Sequence, residues 1–195
     1  MCIYLLVSGS IVPDFSSFGY YFMLDVLGIT KFTYSMLAVI GFGCLLIGTQ
    51  LFNRYFKDTE YRKLILSNFA LTVLLTPLSF ILVLRLNVDW GIPDMALIVF
   101  SDVVLSILSQ CLVFLPISVI MVKICPKHIE ATAFATLAGL NNFSQNISSW
   151  FGSWINEKFV WVEKDDLSRY WVLITIQFAC CFIPLALIWL IPTQK

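Results

Sequence analysis

The sequence predicts an all-α membrane protein built from six transmembrane helices. Two long stretches, Val103–Val122 and Ala131–Asn156, contain no charged residue. About 20 such residues, at 1.5 Å rise each, cross a hydrocarbon core of roughly 30 Å. Composition points the same way: 59% of the 195 residues are hydrophobic and only 12% are charged. The mean hydropathy is +0.90, above that of ordinary soluble domains.

Taken in order, the apolar segments predict one bundle of spans at about 1–27, 33–52, 64–84, 94–122, 129–156 and 170–191. The first is interrupted by Pro13 and Asp14. It lacks the basic start of a signal peptide and looks like a helix entered partway through. A short polar hinge, Lys123 to Ala135, joins the fourth and fifth spans at a membrane surface. The loops Asn53–Lys63 and Glu157–Arg169 carry most of the remaining charge. Arg54, Lys57, Arg62, Lys63, Lys123, Lys127 and Lys195 fall on one side of the bundle. Lys31, Arg85, Lys158, Lys164 and Arg169 fall on the other, diluted by Glu157, Glu163, Asp165 and Asp166. The basic excess predicts that the first side, with both termini, is cytoplasmic. Trp90, Trp154, Trp161, Tyr170 and Trp171 then form an outer aromatic belt.

Several function classes are disfavoured. A formal net charge of zero leaves no basic surface for nucleic acid. The six cysteines form no CxxC pair and mostly lie in apolar stretches, so neither a disulfide framework nor a metal site is expected. His128 has no partner at zinc-motif spacing. No HExxH, GxSxG, P-loop, GxGxxG or GxGD pattern occurs, so the chain is read as a non-enzyme without a cofactor. Asn142-Phe143-Ser144 and Asn146-Ile147-Ser148 match the glycosylation sequon but lie inside the fifth span.

Polar residues at membrane depth mark functional positions by default, because each is costly there. On the fourth span Asp102 is followed by Ser106, Ser109 and Gln110, at offsets that place them on one helical face. On the fifth, Asn141, Asn142, Gln145, Ser148, Ser149 and Gly152 share a face opposite Leu140, Phe143, Ile147, Phe151 and Trp154. Interhelical polar contacts contribute only about 1 kcal/mol each, so helix association alone explains this amide cluster poorly. A water-filled cavity shared with Asp102 is expected instead. Asp14 and Pro13, with Ser16, Ser17 and Gly19 beside them, resemble the interrupted helices that hold substrates in secondary transporters. Arg85, at the outer end of the third span, is placed either to attract an anion or to snorkel to the interface. Gly41, Gly43, Cys44 and Gly48 read as a helix-packing face.

The hinge Cys125-Pro126, Glu130-Ala131-Thr132, Phe134-Ala135, Leu137 and the following Asn141 or Asn142 resemble the CPxGxEATxFALL-like signature of the folate–biopterin transporter family, within the major facilitator superfamily. Arg85-Leu86-Asn87 with Gly91-Ile92-Pro93-Asp94 is similar to that family's RLN…GIPD stretch, followed by Asp102 and Pro116. Pro13, Phe15, Tyr21-Phe22 and Leu27-Gly28 resemble its seventh helix, and Asn53-Arg54 with Arg62-Lys63 its basic loop between helices eight and nine. Lys127-His128 departs from the signature where glycine is common, and Ser17 stands where many members have an acid.

The resemblance covers nearly the whole chain in order. It implies the C-terminal six-helix bundle of a major-facilitator-type transporter for folate, biopterin or a related pteridine, possibly proton-coupled. The expected partners are the lipid bilayer, the small-molecule substrate, and either a missing N-terminal six-helix half or a second copy of the chain. A truncated chain and a true half-transporter both remain open. So do a non-transporting membrane scaffold, a decayed paralogue, and a facilitator for another small organic anion.

Overall fold

A computed structural model describes residues 2–56, 59–116, 118 and 130–188. The described residues are helical apart from connecting turns and one isolated bridge, Glu163–Asp166. Helix α1 (Cys2–Ile11) and helix α2 (Ser16–Tyr21) are separated by the non-helical segment 12–15. Proline offers no backbone N–H, so Pro13 withdraws a donor from the ladder where α1 ends, whereas Pro77 is accommodated within the helix Tyr61–Val83. The predicted first span is therefore two helices around a break.

Helix α3 (Lys31–Leu51) starts where the Thr30 hydroxyl accepts from Thr33 N–H at 3.1 Å, satisfying a donor left free at a helix start. Helix α4 (Tyr61–Val83) follows, then the single turn α5 (Leu86–Asp89). Helix α6 (Asp94–Ile98) runs into α7 (Leu105–Ser109) through the π-helical turn Val99–Val104, and a second π turn spans Gln110–Phe114. Helix α8 (Glu130–Ile155) is the longest, and α9 (Tyr170–Cys180) and α10 (Ile183–Ala186) close the described chain.

Among the described residues, three helical stretches are long and apolar enough to cross a membrane: Lys31–Phe56, Arg62–Val83 and Asp94–Val113. Helix α8, with 26 residues, reaches about 39 Å at 1.5 Å per residue. Its amides and serines keep it less apolar than those three. The apolar stretch Tyr170–Ala186 is shorter and is interrupted by the turn Cys181–Phe182.

Three buried clusters hold the elements together. Tyr4, Phe52, Leu64 and Leu112 form one, and Phe22, Leu37, Leu82, Leu97 and Ile98 a second. The third joins Phe15, Ile155, Val160, Val162 and Leu173. Val160 and Val162 belong to the predicted outer loop, which folds back over the helix break. Asn156 fixes that fold-back: its side chain donates to Val162 O at 2.8 Å and accepts from Val162 N–H at 2.9 Å. Many large apolar side chains stay exposed, among them Phe32, Phe42, Leu46, Leu74 and Trp150. Apolar exposure on this scale needs lipid or another protein surface to cover it.

Arg85-Leu86-Asn87 and Gly91-Ile92-Pro93-Asp94 form a closed corner between α4 and α6. Arg85 takes a left-handed backbone (φ 58°) and Gly91 another (φ 68°). Arg85 Nη1 pairs with Asp94 Oδ2 at 2.9 Å. The buried Asn87 donates from Nδ2 to Ile92 O at 3.0 Å and to Asp94 Oδ1 at 2.5 Å. Arg85 is thus engaged within its own corner, where the sequence suggested anion attraction or snorkelling.

Candidate functional site

The site grows out of the break between α1 and α2. Leaving the helix at Ile11 frees the Val12 carbonyl and the Asp14 N–H, and such groups are costly without partners in an apolar medium. Helix α8 supplies both partners through one residue. Ser148 Oγ donates to Val12 O at 2.5 Å, and Ser148 O accepts from Asp14 N–H at 3.3 Å. Small residues allow this approach. Gly9 faces Ser144, and Gly152 lies against the Asp14 backbone so closely that any Cβ there would overlap it. Ser144, Ser148 and Gly152, four residues apart, are the buried stripe of α8 that receives the broken helix.

Asp14 then turns its carboxylate outward. Oδ1 accepts from Ser16 N–H at 3.0 Å, and Oδ2 accepts from Ser16 Oγ at 3.0 Å and from Ser149 Oγ at 2.9 Å. The first bond satisfies a backbone N–H at the start of α2, and the third reaches across to α8. Beside this carboxylate lies an open groove of about 640 Å³, lined by Asp14, Asn142, Gln145, Asn146, Ser148 and Ser149.

Asp14 also borders a second cavity of about 390 Å³ within the bundle, where Tyr20, Thr76, Ser79, Ser101 and Gln177 contribute polar groups. Among the described residues, no Lys, Arg or His lines either space. Among the described residues no cluster of three or more His, Cys, Asp or Glu is placed to hold a metal ion.

The predicted site residues are only partly brought together. Asn142, Gln145, Ser149 and Asp14 meet in the groove, and Asn146 joins them. Asn146 was legible only as one more amide in the run. Asn141 does not line the groove; its carbonyl accepts from Ser144 Oγ at 2.8 Å. Gly152, on the face expected to line the cavity, packs against the helix break, and Ser148 both bonds the break and lines the groove.

On the fourth predicted span, Ser106 and Gln110 open onto a different cleft of about 220 Å³, with Met23, Tyr34, Gly41 and Phe42. Ser109 turns instead to α4, donating to Asn68 Oδ1 at 2.9 Å. Ser106 and Gln145 thus line different spaces, and the cavity of about 390 Å³ runs from Asp14 to Ser101 of the fourth predicted span. The backbone of Asp102 lies in the π turn Val99–Val104, and its side chain is outside the described residues. So are Cys125, Pro126, Lys127 and His128 of the hinge, and the Glu130 side chain. Thr132 is exposed on the first turn of α8.

Helices long and apolar enough to cross a membrane, in a chain that also holds a polar groove at a broken helix, point to a membrane protein. The BT1 family model matches residues 1–195, and the chain belongs to that family. It is 28% identical over 184 residues to the "Probable folate-biopterin transporter 4" of Arabidopsis thaliana, covering 94% of this chain and 37% of that protein. It is 31% identical to "Probable folate-biopterin transporter 2" of the same plant, covering 80% and 31%. To the "Folate-biopterin transporter" of Synechocystis sp. (strain ATCC 27184 / PCC 6803 / Kazusa) it is 26% identical, covering 92% and 36%. The chain spans about a third of the length of these curated relatives. They are named as transporters, consistent with a protein that is not an enzyme. No solved structure matches the chain.

Proposed function

We propose that the chain forms one six-helix bundle of a major-facilitator-type transporter for folate, biopterin or a related pteridine. The observation that supports this reading best is the groove where the interrupted α1–α2 segment meets the amides of α8. Side-chain amides offer donors and acceptors together, which suits the edge of a neutral heterocycle. Holding them at an opened helix break matches the way secondary transporters build substrate sites. In this reading the rest of the substrate pathway comes from a second bundle, either another part of the same protein or a second copy of this chain. Both termini face the cytoplasm, and proton coupling runs through Asp102.

Uptake of labelled folate and biopterin by cells expressing the native protein tests the proposal. Uptake above that of empty-vector cells is expected for at least one pteridine. Uptake no better than the vector for every pteridine offered would overturn it. A non-transporting scaffold would in addition show no ligand-dependent thermal shift in detergent.

A further inference from the structure

Asp14 has a feature that helix capping does not require. Satisfying the start of α2 needs only the bond from Ser16 N–H, yet the carboxylate also accepts from Ser16 Oγ, reaches Ser149 on α8 and borders the groove. A carboxylate offers about four lone-pair sites. Ser16 N–H, Ser16 Oγ and Ser149 Oγ occupy three, and the site left open is on Oδ1. The Ser149 hydroxyl rotates freely, so its bond to Oδ2 yields readily to a better donor. The backbone beneath is held on both sides, by Ser148 at Val12 O and Asp14 N–H and by the close approach of Gly152. The carboxylate is therefore positioned before any ligand arrives, which lowers the ordering cost of binding.

Among the described residues, all those lining the groove are polar and Asp14 alone is charged. Such a surface favours a ligand edge with two adjacent donors facing Asp14 and with acceptors facing the amides of Asn142 and Gln145. Anionic groups are repelled from the same place. The groove, about 640 Å³, lies within the range of about 300–1,000 Å³ that holds small organic ligands.

We propose that Asp14 is the specificity-determining residue of this groove: its carboxylate accepts from the ring N–H and the adjacent exocyclic amino group of a 2-amino-4-oxo heterocycle. The proposal rests on the pteridine reading above and adds an orientation. The amino-bearing edge enters at the helix break, and any carboxylates of the ligand point away from it.

The test compares pterin with lumazine, the same bicycle with a carbonyl in place of the 2-amino group, as ligands of the native full-length protein in lipid nanodiscs. Pterin is expected to bind at least about tenfold tighter, the discrimination of one paired contact. Asp14→Asn keeps an acceptor for Ser16 N–H but presents an amide donor to the ligand. It should erase the preference at an unchanged melting temperature. Asp14→Ser keeps a capping oxygen without the carboxylate and should do the same, so the test survives if one variant fails to fold.

Equal binding of pterin and lumazine by the wild type would overturn the role of Asp14 and leave the pteridine reading intact. A preference that persists in a folded Asp14 variant would reduce Asp14 to a helix cap. Binding of neither ligand would overturn both proposals.

Discussion

Gly152 and Asp14 are in such close backbone contact that a methyl group on the glycine would overlap the Asp14 carbonyl oxygen. This contact brings the broken helix onto α8, and it reverses the usual sign of a helical glycine substitution. Within a helix, Gly→Ala normally stabilises by about 1 kcal/mol. At Gly152 the added atom meets backbone, which cannot rotate aside.

Gly152→Ala is therefore expected to destabilise, by about 1–3 kcal/mol as overpacking does. Gly43→Ala, on α3 where a Cβ meets nothing within 4 Å, should be neutral or stabilising. Thermal melts of the two variants in detergent should move in opposite directions, or the Gly152 variant alone should fall. Equal shifts would mean that α1 and α8 do not approach this closely.

Ser148→Ala removes the donor to Val12 O at the break. Val12 is half-buried, so leaving its carbonyl unpaired should cost toward the low end of about 1–3 kcal/mol, and this variant should also melt lower. Ser153→Ala, whose hydroxyl bonds only to Ser149 O on its own helix and lies exposed, serves as the control and should change little.

The corner of α4 and α6 makes a graded prediction. The Arg85–Asp94 pair is partly exposed, at 38% and 25%, so truncating Arg85 should cost only about 1 kcal/mol. Asp94→Ala should cost more, because it also deprives the buried Asn87 of an acceptor. A double-mutant cycle read by thermal unfolding checks both the coupling and the order. A costlier Arg85 variant would mean that the ion pair, not Asn87, holds the corner.

Acid should loosen the loop between α8 and α9. Hydrogen bonds from the Ser168 side chain and backbone, with a smaller contribution from the Arg169 charge, hold the Asp166 carboxyl below its ordinary value. A carboxylate lowered on folding stabilises above its unfolded pKa, and the contribution is lost as pH falls through the depressed folded value. Carboxyl NMR should show Asp166 titrating low, and Ser168→Ala should return it toward the usual aspartate range. No movement in that variant would remove Ser168 as the cause.

Two predictions follow from the transport reading. Asp102→Asn should abolish or uncouple transport in a protein that still folds and inserts, since an aspartate at membrane depth is expected to work. Wild-type transport rates across pH in that variant would take Asp102 out of the mechanism. Cysteines placed at Asn142 or Gln145 should react with small water-soluble thiol reagents and be protected by substrate. Reaction at Ile147 or Phe151 instead would reverse the assigned face of α8.

Much of this architecture was legible in the chain itself. The long uncharged runs dictated helices because backbone polar groups in an apolar medium must bond within their own segment. Pro13 with Asp14 marked the place of the break, since proline withdraws an N–H from the helix ladder, although Pro77 is accommodated inside α4. The amides of α8 announced a polar face, because 3.6-residue periodicity decides which side chains share a side.

Periodicity does not say which neighbour a face meets, and there only the tertiary structure decided. It gave Ser148 and Gly152 to the helix break and left Asn142, Gln145 and Ser149 open. It sent Ser109 to Asn68 and turned Ser106 and Gln110 toward a cleft of their own, along a helix whose angular register is altered by π turns. It also closed Arg85 onto Asp94 and brought Asp14 to Ser149, 135 residues away. Hydrogen bonds and close contacts reach only a few ångströms, so which distant residues share one is set by how the helices pack.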